Sequence, residues 1–401
     1  MVNLRARVHD RLKPGFDIII GIPSYNNERF VGHVVKTAAV GLKQYLKDWK
    51  SLILVCDGGS LDDTREVAES VEIPSGIERI VTTYRGIPGK GSAVMAMIEA
   101  ADLAGAELLL LFDADLRSIT PEWIDRMSRP VLEMGFDYLT PYYLRHKHDG
   151  TITNNIVYPI LKGVFGVEIR QPIGGDFAIG KRLIKRLINR EHFNHLTARF
   201  GIDVWMTTQA FTSGRVGQVG LGTKVHAPKE PKNDLTPMFV QVVYTLFRML
   251  IIYEEIWREG KQIRVELVSD EFSDSIEEIP IEPRDLITEI SYAVRNFGPL
   301  YERIMSRSTV RELISSLDRI PIDLWVQIVY DFAVTFRRWE RNRRKLLRLL
   351  LPLYLGRVGS FALETKDMDS SQAEVVVRKN AECFWKMRDY FINRWDESDQ
   401  K

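Results

Sequence analysis

The sequence predicts an α/β protein in two parts: a mostly parallel β-sheet wrapped by helices over residues 1–235, then a helical domain over 236–401. Three observations carry this reading. Over the first half, uniformly apolar runs alternate with amphipathic stretches at helical spacing. Polar and glycine-rich segments follow those runs, and beyond Asp234 strand-like alternation nearly vanishes. Strands covered on both faces read as continuous apolar runs, and such sheets bind ligands outside the carboxyl ends of their strands. A chain of 401 residues also exceeds what one hydrophobic core usually organises.

In chain order, strands are expected at Phe16–Ser24, Ser51–Gly58, Ile77–Tyr84 and Glu107–Asp115. Helices are expected between them, near Phe30–Leu46, Asp62–Val71 and Ser92–Leu103. The second half carries helical spacing at Leu235–Trp257, Arg284–Met305, Asp323–Val358 and Ser371–Trp395. The acidic, proline-containing stretch Ser269–Asp285 is expected to be a loop between helices.

Hydrophobic content of 45% and charged content of 27% are those of an ordinary globular protein. A net charge of +1 argues against nucleic-acid binding by a global field. The two cysteines, Cys56 and Cys383, match no metal spacing and fit a reducing compartment. The charged N-terminus lacks a secretory pattern, and no run of about 18 uninterrupted apolar residues occurs. A cytoplasmic protein with no membrane span is expected.

The chemistry-bearing residues cluster after the strands. "LLLLFDAD" delivers the chain into Asp113-Ala114-Asp115. In a strand, i and i+2 share a face, so these carboxylates would repel unless a cation intervened. A hard divalent ion is one remedy; an Asx-type turn at a strand end is the other reading. "GIPSYNNE" places Pro23, Tyr25, Asn26 and Glu28 on the first turn, where a carboxylate suits ribose hydroxyls or Asn27 caps a helix. "VCDGGSLDDT" offers Asp57 to a base N–H and glycines for close backbone approach, or else a helix start capped by Ser60 or Asp62. "RGIPGKGSAV" sets Lys90 between two glycines at a helix start, where amides plus an ammonium suit anionic oxygens; a solvated lysine is the alternative. "QPIGGDFAIG" brings Gly174, Gly175 and Asp176, which suit either a close sugar contact or a β-bulge. "GLGTKVHAPK" places His226 beyond a late strand-like segment.

The order P-x-Y-N-x-E, D-G-G-S, D-A-D, G-G-D and K-x-H resembles a nucleotide-sugar glycosyltransferase of the GT-A fold, a Rossmann-like mostly parallel sheet. The resemblance runs over Phe16 to Lys229 and is closest to the retaining enzymes that make glucosylglycerate, mannosylglycerate or glucosyl-3-phosphoglycerate. The helical extension also resembles the mannosylglycerate synthase type. The resemblance implies that Pro23, Tyr25, Glu28 and Asp57 line the nucleoside pocket with Asp113 and Ala114, and that Lys90 faces the diphosphate. It implies Mg²⁺ or Mn²⁺ on Asp115 and His226, with Gly175 and Asp176 facing the donor sugar. Asp176 and Asp203 are the candidate catalytic carboxylates; in inverting relatives the position of Asp203 holds a base. Many relatives carry a polar residue where this chain has Gly58, so UDP, GDP and ADP all stay open.

For the acceptor, "YYLRHKHDGTITNN" combines Arg145, Asp149, Thr151 and Thr153 with Lys147 and two histidines. An arginine suits a carboxylate. Phosphoglycerate-using relatives place an arginine where this chain has Thr151. The R-x-x-x-D-x-x-x-T pattern of Arg145, Asp149 and Thr153 matches the mannosylglycerate enzymes and points to free D-glycerate; Lys147, His146 and His148 keep 3-phosphoglycerate open. The expected reaction is transfer of glucose from an NDP-glucose to the 2-hydroxyl of D-glycerate by a cytoplasmic homodimer. Two competing readings stand beside it. "FRRWERNRRKLLRLLLPLYLGR" would suit an inverting, membrane-associated transferase using a lipid phosphate. A sugar-nucleotide sensor would need no acceptor loop.

Overall fold

The computed structural model describes residues 12, 14–226, 231–263, 265–269 and 276–397. The expected features at Lys229 and at residues 270–275 lie outside the described residues, as does the N-terminus up to residue 11. The chain divides into two compact units. One comprises Met1–Leu144, Gln171–Glu230 and Val265–Ser275; the other comprises Arg145–Arg170, Pro231–Arg264 and Ile276–Lys401. By this division 145–170 belongs to the helical unit and 265–275 to the sheet unit.

The first unit opens with β1 (Ile18–Ser24), α1 (Val31–Tyr45), β2 (Ser51–Asp57), α2 (Thr64–Ser70), β3 (Glu78–Thr83), α3 (Lys90–Ala104) and β4 (Leu108–Leu111). Next come α4 (Pro121–Met134) and β5 (Tyr138–Leu144). The helical unit then contributes a wide-wound stretch over Thr153–Phe165, with α5 (Tyr158–Ile160) at its centre. The chain returns to the first unit with β6 (Phe177–Gly180), α6 (Lys181–Leu187), α7 (Ile202–Phe211) and β7 (Val216–Thr223). After α8 (Pro231–Ile252) and α9 (Glu254–Arg258), both in the helical unit, β8 (Glu266–Ser269) completes the sheet. The strand order is β3-β2-β1-β4-β6-β5-β7-β8. Among the described strands only β6 runs antiparallel, pairing Leu108↔Gly180 through Leu111↔Phe177 with β4 and Tyr138↔Ile179 with β5. Ile18, Ile20, Ile53, Val55, Leu108 and Leu110 are completely buried, which is why these runs carry no alternation.

Two expectations are corrected by this sheet. The fourth strand stops at Leu111, so Asp113–Asp115 form a turn beyond it and the shared-face argument does not apply. Strand structure also recurs beyond Asp234, because β8 pairs with β7.

The helical unit continues with α10 (Pro283–Ile304), α11 (Arg307–Ser315), α12 (Ile322–Arg338), α13 (Arg343–Glu364), α14 (Ser370–Lys386) and α15 (Arg388–Glu397). Within the stretch expected to be a loop, the described residues 276–282 are non-helical and α10 begins at Pro283. Glycines let α10 and α13 approach closely: a Cβ on Gly356 would fall 2.3 Å from Ile290, and one on Gly359 would fall 2.7 Å from the Pro283 carbonyl. The arginine-rich segment is not one amphipathic helix, since it breaks between α12 and α13. Arg343 turns back to donate to the Phe336 carbonyl, and Arg357 is wholly buried, pairing with Glu364 through both terminal nitrogens. Two helical stretches, Leu235–Ile252 and Glu340–Glu364, are long and apolar enough to cross a membrane by length and composition; 50% and 72% of them are buried inside the protein.

Candidate functional site

The turns after β1 and β2 are laced together. Asn26, at φ +53°, donates its amide to the Ser60 hydroxyl and accepts from the Leu61 amide. The Asn27 amide donates to Thr64 Oγ1, and Glu28 accepts from the Asp63 amide. Asn27 therefore does not cap α1, which starts at Val31 without a side-chain cap; its side chain accepts from the Tyr25 amide instead. Nor does Ser60 cap α2. It donates to Asp57 at 2.5 Å, while Asp62 takes the Thr64 amide and hydroxyl. The lacing holds the Tyr25 ring 57% exposed, with Pro23 part-buried and Glu28 exposed. An exposed aromatic face beside polar groups is suited to a flat heterocycle.

Asp57 was expected to meet a base directly. It is completely buried, and its carboxylate accepts from the Gly59 and Ser60 amides and from the Ser24 and Ser60 hydroxyls. Those donors fill its acceptor positions, so it shapes the turn rather than presenting oxygens outward. Gly58 stands against Tyr25, where a Cβ would sit 3.3 Å from the ring.

Lys90 is the first residue of α3. The flanking glycines serve close packing: a Cβ on Gly91 would lie 2.0 Å from the Thr197 carbonyl, and one on Gly89 would lie 2.7 Å from that of Ala198. The Gly91 and Ser92 amides donate to the Arg199 and Ala198 carbonyls. The chain itself has thus taken the Gly91 and Ser92 amides of the expected anion site, and the Lys90 ammonium is its main remaining group.

The centre of the unit is a cluster of two lysines and three aspartates. Lys90 lies 2.7 Å from Asp113, 3.6 Å from Asp203 and 3.4 Å from the Gly175 carbonyl. Lys224 lies 2.8 Å from Asp176, 3.3 Å from Asp113 and 2.7 Å from the Gly174 carbonyl. Burial pulls the Lys90 ammonium down, but attraction to Asp113 and Asp203 outweighs it and holds the group well above the ordinary lysine range. Burial pushes the Asp203 carboxyl up, against the pull of Lys90. Asp203 sits in the first turn of α7, and its Oδ1 is buried without a hydrogen-bond partner.

Asp176 was expected to face the donor sugar and to act catalytically. It is fully buried, and accepts from the Asp113 amide, the Tyr143 hydroxyl and Lys224. These protein groups enclose it as an internal strut. Gly175, at φ +91°, closes against this strut: a Cβ there would fall 2.1 Å from Asp113 Oδ2. The glycine pair makes room for protein groups rather than forming a bulge, since Gly174 packs on Pro141 with a virtual Cβ distance of 2.3 Å.

Asp115 and His226 are brought together by backbone pairing, because Leu116 and His226 form an isolated antiparallel bridge. The Arg117 amide donates to the Val225 carbonyl, and the Val225 amide to the Ser118 hydroxyl. Asp115 is half-buried, and its carboxylate makes no hydrogen bond or ion pair among the described residues. Among the described residues no three His, Cys, Asp or Glu side chains gather at a metal position. A carboxylate and an imidazole fit an ion that keeps its other positions for phosphate oxygens and water, as Mg²⁺ commonly does. Ala114, between the two aspartates, is buried.

Lys224 was missed as a site residue. The signal was a lysine two positions before His226, but one lysine after a strand is common and its partners lie 111 and 48 positions away.

The expected acceptor residues belong to the helical unit. Arg145 pairs with Asp149 at 3.1 Å. Gly150, at φ +62°, would place a Cβ 3.6 Å from Arg145 and 3.8 Å from Thr153, so the three pattern residues gather around one point. Thr151 stands apart, with its hydroxyl 2.6 Å from that of Tyr354. Lys147, a candidate for phosphate, instead donates to the carbonyls of Thr365, Lys366 and Met368 at the end of α13. Its three N–H groups satisfy carbonyls of the turn that follows α13. His146 contacts Glu278 at 3.0 Å, and His148 contacts the Ile279 carbonyl at 3.1 Å.

Residues 19–193 match the family model described as Glycosyl transferase family 2. That match spans less than half of the chain, and it falls on the first unit, whose mostly parallel sheet is of the GT-A type and is accompanied by a helical C-terminal region. An uncharacterized protein of Methanocaldococcus jannaschii is 29% identical over 164 residues, which is 40% of this chain and 60% of that protein. The chain thus spans less than two thirds of that relative's length. Among solved structures, glucosyl-3-phosphoglycerate synthase from Mycobacterium tuberculosis with Mg²⁺ and UDP aligns at a TM-score of 0.47 and 23% identity, covering 59% of this chain and 79% of that one. The same enzyme with Mn²⁺, UDP-glucose and phosphoglyceric acid aligns at 0.45 and 20% identity, covering 59% and 80%.

Proposed function

We propose that the protein transfers a hexose, glucose in the first instance, from a nucleoside diphosphate to the 2-hydroxyl of D-glycerate with retention. The observation that carries the acceptor assignment is the gathering of Arg145, Asp149 and Thr153 around Gly150, while Lys147 is consumed by three carbonyls. An arginine and hydroxyl-binding groups suit a small hydroxy acid, and the lysine that would have matched a phosphate serves the end of α13 instead. The choice of glucose follows the sequence resemblance. A cytoplasmic, homodimeric enzyme is the corresponding assignment for the whole protein.

On the donor side, Tyr25 and Pro23 would receive the base, Glu28 the ribose with Asp113 and Ala114, and Lys90 the diphosphate. Asp57 would shape that pocket from behind. Asp115 and His226 would hold Mg²⁺ or Mn²⁺, which when bound offsets the charge that a departing diphosphate develops. Lys90 is built for the same work, because its ammonium is held charged between carboxylates in a largely desolvated place. Asp203, with one oxygen unpartnered, would meet a sugar or acceptor hydroxyl. Gly175 would keep the sugar side of the pocket free of a side chain.

The test is a product assay with Mg²⁺, a panel of UDP-, GDP- and ADP-hexoses, and D-glycerate or 3-phosphoglycerate in separate reactions. An α-linked hexosylglycerate resolved by NMR, absent with Asp115→Ala, is the expected result. Turnover with 3-phosphoglycerate alone would overturn the acceptor assignment. A β-linked product would overturn retention and give Asp203 the role of base. Nucleotide-sugar binding without turnover on either acceptor would point to a sensor.

A further inference from the structure

We infer that Lys224 is a positioning residue: its ammonium clamps the Gly174–Asp176 turn onto Asp113 and so sets the floor of the donor-sugar pocket. The inference rests on the reading that this cluster is the donor site.

The side chain of Lys224 is only 4% exposed, and Asp176 is not exposed at all. Ammonium groups are rarely buried unless they are paired, since desolvation weighs heavily against them. Lys224 spends its donors on the Gly174 carbonyl at 2.7 Å, Asp176 at 2.8 Å and Asp113 at 3.3 Å, and its cation lies 5.2 Å from the centre of the Tyr143 ring. Those partners come from three separate parts of the chain. They are the turn before β6, the turn after β4 and the end of β5, and β7 delivers the lysine itself. The Lys224 amide donates to the Leu144 carbonyl, so the residue continues the pairing of β7 with β5.

A second cation completes the arrangement from the other side. Lys90 reaches Asp113 through the other carboxylate oxygen and also meets the Gly175 carbonyl. Asp113 is thus gripped by both lysines, and the Gly174–Gly175 peptides are pulled toward it by one carbonyl each. Lys90 is part-exposed and can exchange partners when an anion arrives; Lys224 is enclosed. The enclosed lysine therefore holds the turn while the open one receives ligand.

Crystal structures and steady-state kinetics of Lys224→Met, Lys224→Arg and Tyr143→Phe decide the matter. Crystal structures report the turn directly and do not depend on any substrate assignment. In Lys224→Met, Gly174–Asp176 is expected to move away from Asp113 by about 1 Å or more, a displacement of the size that costs about 100-fold in turnover. Steady-state kinetics should then show kcat down about 100-fold with the donor KM changed less than threefold, and partial recovery in Lys224→Arg. Tyr143→Phe removes a different donor to Asp176 and should cost less than tenfold, because the clamp remains. An unmoved turn in Lys224→Met overturns the inference. So does a rise in donor KM alone, which would make Lys224 a diphosphate ligand. If Lys224→Met does not fold, a Tyr143→Phe enzyme as impaired as Lys90→Met overturns it, and one losing less than tenfold upholds it. A wild type that transfers no hexose refutes the proposed function, while the crystallographic comparison still judges the clamp.

Discussion

Gly175→Ala offers the sharpest test of the close-packed cluster. The new Cβ would fall 2.1 Å from Asp113 Oδ2, 3.0 Å from its Cγ and 3.1 Å from Lys224 Nζ, on a backbone at φ +91°. Two costs follow. Holding alanine in left-handed backbone costs about 1–2 kcal/mol. Relieving the contact requires Asp113 or the turn to shift by roughly 1 Å, and overpacking of this kind adds about 1–3 kcal/mol. Gly76→Ala separates the two terms, because Gly76 has φ +90° with nothing within 4 Å of its virtual Cβ. The control should lose about 1–2 kcal/mol, and Gly175→Ala about 2–5 kcal/mol. Urea midpoints measured side by side give the difference. Transfer activity should fall about 100-fold in Gly175→Ala and remain near wild type in Gly76→Ala. Equal midpoints and equal activities in the two variants would refute the argument that Gly175 is required by the approach of Asp113.

Other outcomes follow from the same structure. Asp203→Asn should stabilise the protein at neutral pH while reducing transfer: burial raises the Asp203 pKa, so its contribution is full below the unfolded value near 3.9 and is lost as pH rises through the folded one. Urea unfolding of both proteins between pH 4 and 7 checks this, and the advantage of the variant should grow with pH. In the helical unit, Glu364→Ala should cost about 3–5 kcal/mol because it strands the buried Arg357 charge. Arg357→Met should cost less, since it leaves behind only a part-exposed carboxylate; equal losses by urea unfolding would contradict this. The arginine-rich segment should not drive sedimentation with anionic vesicles: Arg338, Arg341, Arg344, Lys345 and Arg348 are exposed, but Leu346, Leu347, Leu350 and Leu353, the residues that would insert, are completely buried. Salt-sensitive co-sedimentation would reverse that reading.

Much of the first unit is legible in local chemistry. The ends of the strands at Ser24, Asp57 and Thr83 are legible to within one residue, because buried parallel strands need continuous apolar runs and turns need asparagine, glycine and aspartate. The D-A-D turn and the K-x-H segment were likewise visible as motifs. Their partnerships were not. That Asp176 is an internal strut, that Lys224 joins the cluster and that Lys147 holds the turn after α13 depends on pairs separated by dozens to hundreds of residues, whereas Asp57 is enclosed mainly by Gly59 and Ser60 beside it. A carboxylate or ammonium looks the same in sequence whether it faces a ligand or the chain's own donors. What decides between them is burial and the supply of hydrogen-bonding partners at that point in space. The sequence by itself determined which groups are available after each strand; only the tertiary structure decided which of them the fold consumes and which remain for a substrate. The physical reason is that buried polar groups must be paired, and the nearest partner in space is seldom the nearest in the chain.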